Sequence, residues 1–120
     1  MFREFSRVKQ ETRPGRRRWF EDDGVELIVW YDSGDAIRGF QICYSVDSAR
    51  AHALTWRRGL GFQHDQIDEG DDGPLKNQTP LLIPDGQVPW DWITAAVERG
   101  SAGLEADLRT LILERLTTRS

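Results

Sequence analysis

RRRWFEDDGVELIVWYDSGDAIRGFQICY, residues 16–44, decides how this chain folds. At its centre VELIVWY (25–31) is β-branched and aromatic with apolar residues at both parities, which predicts a strand covered on both faces. Before it, Asp23-Gly24 is a favoured two-residue hairpin turn, because both residues tolerate positive φ. In that register Phe20 faces Leu27 and Trp19 faces Ile28, which joins apolar partners, while Glu21 opposite Glu26 is a like-charge pair that counts against it. After Tyr31, DSGD (32–35) is a second turn. AIRGFQICY (36–44) then alternates, with Arg38, Phe40, Ile42 and Tyr44 on one side and Ile37, Gly39, Gln41 and Cys43 on the other, and reads as a third strand.

Downstream, SVDSARAHALTWRRGLG (45–61) has two readings. Asp47 or Ser48 could cap a short helix through Ala49, Ala51 and Ala53 that stops at Gly59. The rival is a strand at HALTW whose His52, Leu54 and Trp56 share a face, turned by RRGLG into FQHDQID (62–68). The strand is preferred because it continues the antiparallel meander. EGDDGPLKNQ (69–78) is a loop by composition, and in TPLLIPDGQVP (79–89) two prolines bracket a short apolar run suited to a sheet edge or an extended crossing. From Pro89 the pattern turns helical: Trp90, Ile93 and Val97 fall on one stripe and Gly100 closes the helix. Ser101 is placed to cap a second helix carrying Leu104, Leu108, Leu111 and Ile112, with Arg109 and Arg115 outside the stripe. Strands followed by helices predict an α+β fold, an antiparallel meander of about four strands packed with two C-terminal helices.

The chain has 120 residues, 38% of them hydrophobic and 30% charged, the size and balance of a single soluble domain spanning 1–120. It has no uninterrupted apolar run of membrane-spanning length, and MFREFSRVKQ lacks a secretory apolar stretch, so a cytoplasmic location away from membranes is expected. Cys43 is the single cysteine, which excludes an internal disulfide and any multi-thiolate metal site. The net charge of -4 hides an asymmetry: residues 1–18 carry seven bases against two acids, whereas 19–72 carry twelve acids against four bases. Residues 1–12 are set apart as a basic arm, flexible or helical.

The segments RRRWF, LIVWYDSGDAIRGFQICY, ALTW and TPLLIPDG resemble those of short bacterial proteins that carry no assigned activity. The resemblance spans residues 13–88 and implies the meander alone, with no functional residue carried over.

Chemistry-bearing stretches are few. A calcium loop starting at Asp68 would place Asp72 at position five and Gly73 at the required glycine, but Gly70 at position three and Thr79 at position twelve lack the needed oxygens, so a solvated acidic turn is the better reading. His64, Asp65 and Asp68 with His52 could build an acid/base or metal site, yet strand alternation puts His64 and Asp65 on opposite faces, and no metal-ligand spacing occurs. Cys43 reads as a small buried apolar residue. Of five tryptophans, most are expected inside, with Trp30 or Trp92 reaching a surface. Arg16, Arg17 and Arg18 hint at phosphate binding, but alternation splits them between two faces and acids follow at once, which argues against nucleic acid as a partner. No cofactor, metal or catalytic residue is assigned. The first reading is a small non-enzymatic interaction or accessory module, forming a homodimer because strand 25–31 needs more cover than two helices provide. The alternatives are a ligand-binding protein or enzyme using the acidic hairpin around His64, and weak nucleic-acid binding through the basic N-terminal segment. Arg16, Arg17, Arg18, Trp30, His64, Asp65 and Asp68 are the candidate surface residues.

Overall fold

A computed structural model of the chain describes residues 1–5, 16–45, 51–68, 81–84 and 88–119, with the backbone alone described for 67–68 and 81–84. These residues form one antiparallel sheet in simple sequence order: β1 (Arg3–Glu4), β2 (Arg17–Asp22), β3 (Val25–Tyr31), β4 (Ile37–Tyr44), β5 (His52–Arg57), β6 (Gly61–Asp68) and β7 (Leu81–Pro84). Helices α1 (Trp90–Gly100) and α2 (Ala106–Thr118) follow, joined through a 3-10 turn at Ser101–Gly103. The class is the expected α+β. The sheet has seven strands and not about four, because HALTW and FQHDQID both pair and two short strands extend its edges. A strand of two residues carries too few alternations to stand out as a period, whereas Leu81–Pro84 is the apolar run between prolines that suited an edge.

The central hairpin has the register that its turn chemistry demands. Asp23 and Gly24 turn the chain at φ 27° and 79°, and Phe20 pairs Leu27, Trp19 pairs Ile28 and Glu21 pairs Glu26. The apolar pairs set this register in spite of the like-charge one. At the next turn the Asp32 carboxylate accepts from the backbone N–H of Gly34 (2.9 Å) and Ala36 (3.0 Å), which lets Asp35 take a left-handed conformation at φ 64°. The segment 52–57 is a strand, as preferred; its proposed helix caps at 47 and 48, like most of the calcium-type loop, lie outside the described residues.

Both helices pack on one face of the sheet. Phe20, Leu27, Val29, Phe40, Ile42 and Leu54 meet Ile93, Val97, Leu108, Ile112 and Leu116, all buried. At roughly 25 cal/mol per Å² this apolar burial is the main stabilising term. β3 reads buried, half-buried, buried along its whole length, so the expected cover on both faces is complete only on the helix side (Val25, Leu27, Val29, Tyr31) and partial on the other (Glu26, Ile28, Trp30).

Three further expectations are corrected. Of the segment 1–12 set apart as an arm, residues 6–12 lie outside the described residues, and residues 1–5 belong to the fold: Phe2 is 2% exposed, its N–H donates to the Gly100 carbonyl (2.9 Å), and the Met1 ammonium meets Asp22 at 3.1 Å. Ser101 does not cap α2; its hydroxyl donates to the Glu98 carbonyl (2.8 Å) at the end of α1, and α2 begins only after Glu105, so that Leu104 is buried ahead of the helix. Of the tryptophans only Trp56 is buried, while Trp19, Trp30, Trp90 and Trp92 are half-buried, because two sit on the sheet face away from the helices and two lie at the start of α1.

Candidate interaction surface

Strand pairing lays the side chains of the second sheet face in three rows. The first runs Arg17, Trp30, Gly39, Arg57; the second Trp19, Ile28, Gln41, Thr55, Gln63; the third Glu21, Glu26, Cys43, Ala53, Asp65. β1 adds Arg3 beside Glu21. Because alternate residues along a strand share a face, the sequence of each strand writes one residue into each row. The outcome is a graded face on β2–β4, with Arg17 and an indole at one end, Trp19, Ile28 and the Gln41 amide in the middle and Glu21 and Glu26 at the other, while on β5 and β6 Ala53, Thr55 and Asp65 of the same face are buried.

Local packing fixes the basic and aromatic rows. Gly39 lies under Trp30, and a Cβ there would come 2.6 Å from the Trp56 carbonyl oxygen, so the close approach of β5 requires glycine, while its 3.5 Å from Trp30 Cε3 would be ordinary contact. The Arg17 guanidinium stands 5.9 Å from the Trp19 ring, and Phe5, 41% exposed, meets Trp19 edge-on at 5.9 Å. Trp30 and Ile28 are half-buried and Arg57 is exposed.

The polar part is tied by hydrogen bonds. Thr55 donates to Gln41 Oε1 (3.2 Å), Gln41 Nε2 donates to Cys43 Sγ (3.1 Å), and Gln63 Nε2 donates to both Asp65 oxygens (3.1 Å). Burial pushes the Cys43 thiol up, the Gln41 contact offsets part of this, and the Glu26 charge adds to the rise. A shallow cleft of about 360 Å³ lies where Glu21, Glu26 and Cys43 meet the hairpin turn.

The candidate residues from the sequence divide between the two faces. Arg17 and Trp30 lie half-buried on the sheet face away from the helices, and Asp65 lies on the same face but is buried, 1% exposed. His64 is on the helix side: it shares a hydrogen bond with the Tyr44 hydroxyl at 2.5 Å and stacks on His52 at 5.5 Å, with Tyr44 also against Trp92 of α1. His64 and Asp65 therefore do not meet, and the backbone of Asp68 pairs with Leu81 at the far end of β6. Arg16 bonds Asp35 (2.8 Å), and Arg18 bonds Glu4 (2.7 Å) and meets Glu105 (3.1 Å), so both face carboxylates on the side away from Arg17. The three arginines form no common patch. Among the described residues no group of three or more His, Cys, Asp and Glu side chains is placed to hold a metal ion, and no helix is long and apolar enough to cross a membrane.

Sequence reading missed Trp19, Ile28, Arg57, Glu21 and Glu26 as members of one surface with Trp30. The signal was present in the even-numbered positions of VELIVWY, but linking them to Arg57 needed the pairing of β4 with β5. No protein-family model, curated protein or solved structure matches this chain.

Proposed function

We infer that the protein is a small non-enzymatic interaction module whose working surface is the sheet face opposite its helices. The observation that carries this reading is the second apolar parity of β3: Ile28 and Trp30 stand half-buried beside Trp19 on the face that neither helix covers. A strand that only had to close a sheet-and-helix core would have polar residues at those positions. Tryptophan and arginine together are the side chains most enriched where proteins dock, and here Trp19, Trp30, Arg17 and Arg57 are neighbours. The rival reading, an acid/base site at His64, loses support from the placement of Asp65 on the other face.

Ile28→Asp tests the surface. If Ile28 is an interaction residue, the variant keeps the wild-type fold with its melting temperature within a few degrees, as surface substitutions do. An Ile28→Asp chain that fails to fold would place Ile28 in the core and remove the reading.

A further inference from the structure

We propose that the tip of the β5–β6 hairpin is a docking knob whose seat is the groove between α1 and α2 on a second copy of this chain, the two copies exchanging knobs about a two-fold axis. This surface lies apart from the sheet face described above and does not depend on it.

The knob is Leu60, which is 80% exposed. Its turn holds it in place: Gly59 and Gly61 take φ of 84° and 81°, which only glycine adopts without strain, and the Leu60 N–H donates to the Arg57 carbonyl (2.9 Å). A lone surface leucine is ordinary, but this one stands at an apolar end of the sheet and between free cations. Phe62, two residues on and half-buried, packs edge-on against Trp90 at 5.2 Å, and Trp90 forms one wall of the groove. Of the arginines around the tip, Arg58 bonds Asp32 (3.0 Å). Arg38 and Arg57 are exposed and make no ion pair among the described residues. Alternation sends them to opposite sides of the sheet, because Arg57 pairs Gly39, the residue after Arg38, and so they flank the leucine.

The groove carries the matching pattern. It encloses about 320 Å³, with Trp90 and the buried Leu116 as its apolar walls. Asp91, Ala95 and Glu98 fall at i, i+4 and i+7 of α1 and share one face, so two carboxylates flank a small side chain as the two arginines flank the leucine. Both acids are exposed and make no ion pair among the described residues, and they stand about 10 Å apart along the helix. Arg119, the cation that also lines the groove, lies over the Trp90 ring at 5.3 Å. The chain does not fill its own groove, since its Leu60 is in solvent. Knob and groove border each other through Phe62 and Trp90, so a two-fold axis beside that contact lets each copy give one knob and receive the other. That exchange closes at two copies and sets unlike charges together on both sides.

Light scattering and chain mixing test the exchange. The wild-type chain is expected to dimerise at high micromolar concentration. Leu60→Asp should weaken the dimer by about tenfold or more, since each interface loses its anchor, while melting within a few degrees of wild type as an exposed position should. Charge-reversed chains give a sharper reading. Arg38→Glu/Arg57→Glu makes knob and groove both acidic, and Asp91→Lys/Glu98→Lys makes both basic, so neither chain should pair with itself. Mixed in equal amounts they should form a heterodimer within a few-fold of wild-type affinity, because each knob again meets an unlike groove. The helix dipole disfavours lysine at position 91 and favours it at 98, so α1 should keep its stability. A wild-type chain that stays at 13.8 kDa at high micromolar concentration overturns the second copy, whether or not its Leu60 tip then binds phosphatidylserine vesicles. A dimer indifferent to Leu60→Asp overturns the knob, and reversed chains that stay apart when mixed overturn the groove. Growth beyond two copies overturns the two-fold exchange.

Discussion

Arg18 grips Glu4 with two parallel hydrogen bonds, Nε to Oε2 at 2.9 Å and Nη2 to Oε1 at 2.7 Å, and thereby ties the two-residue strand β1 to β2. The same guanidinium lies 3.4 Å from the Tyr31 hydroxyl, 3.1 Å from Glu105 and over the Phe20 ring, and it is only 12% exposed. Glu4 accordingly sits below the usual carboxylate range, chiefly through the Arg18 hydrogen bond. Its neighbour Arg16 makes a similar contact with Asp35 in open solvent, where screening weakens it.

These two environments predict different costs for one substitution. Arg18→Gln should lower stability by about 1.5–3 kcal/mol, the range for hydrogen bonds to charged groups. Arg16→Gln should cost less than about 1 kcal/mol. Urea denaturation of both variants measures the difference, and equal small effects would show that the Glu4 grip contributes nothing.

Acid should loosen the β1 edge and the 32–35 turn together. The Arg18 hydrogen bond lowers Glu4, the Ala36 N–H and then Arg58 lower Asp32, and Arg16 lowers Asp35. A carboxylate whose folded pKa is depressed contributes stability above its unfolded value, about 4 for these groups, and loses it as pH falls through the folded value. Urea midpoints should therefore be level near neutral pH and fall below about pH 4.5. Glu4→Gln should flatten part of that fall, and a chain that gains stability on acidification would contradict the sign.

The hairpin was legible because its information is local. Asp23-Gly24 fixes the turn, and the apolar pairs Phe20–Leu27 and Trp19–Ile28 fix the register against the repulsion of Glu21 and Glu26. The faces of His64 and Asp65 followed from alternation alone. What stayed hidden depends on distant segments. Phe2 is buried because the carbonyl of Gly100 accepts its N–H, a contact spanning nearly the whole chain, and nothing in MFREF announces it. Ser101 looks like a helix cap by type, yet Gly103 must pass so close to Phe2 that the chain turns once more before α2 begins. The surface rows were likewise invisible until the strands were paired.

Gly103 gives a direct test of that distant contact. A Cβ there would overlap the Phe2 carbonyl oxygen and lie 2.9 Å from the Met1 side chain, and backbone cannot move aside as a flexible side chain can. Gly103→Ala should therefore expel residues 1–4 from the sheet edge. The loss of Phe2 burial should cost about 3 kcal/mol, toward the lower end of the range for removing a buried phenyl ring. Faster proteolysis near Phe2 with the central hairpin still protected from hydrogen exchange is the expected result, and unchanged stability would refute the anchoring role of Phe2.

Cys43 should behave as a quiet thiol. It stands in the acidic row between Glu26 and Ala53, where burial first and the Glu26 charge next push its pKa up, and the Gln41 hydrogen bond only partly opposes them. Since the thiolate is the reactive form, the folded protein at neutral pH should react with a maleimide about tenfold or more slowly than the urea-unfolded chain. The raised folded pKa also has a stability sign: its contribution is complete below the unfolded thiol value of about 8.5 and declines as pH rises above it, because the unfolded chain then ionises first. Cys43→Ala should remove that alkaline decline while leaving acid behaviour unchanged. A folded thiol as reactive as free cysteine would mean that Cys43 lies in an open and electropositive setting, which the glutamates beside it do not provide.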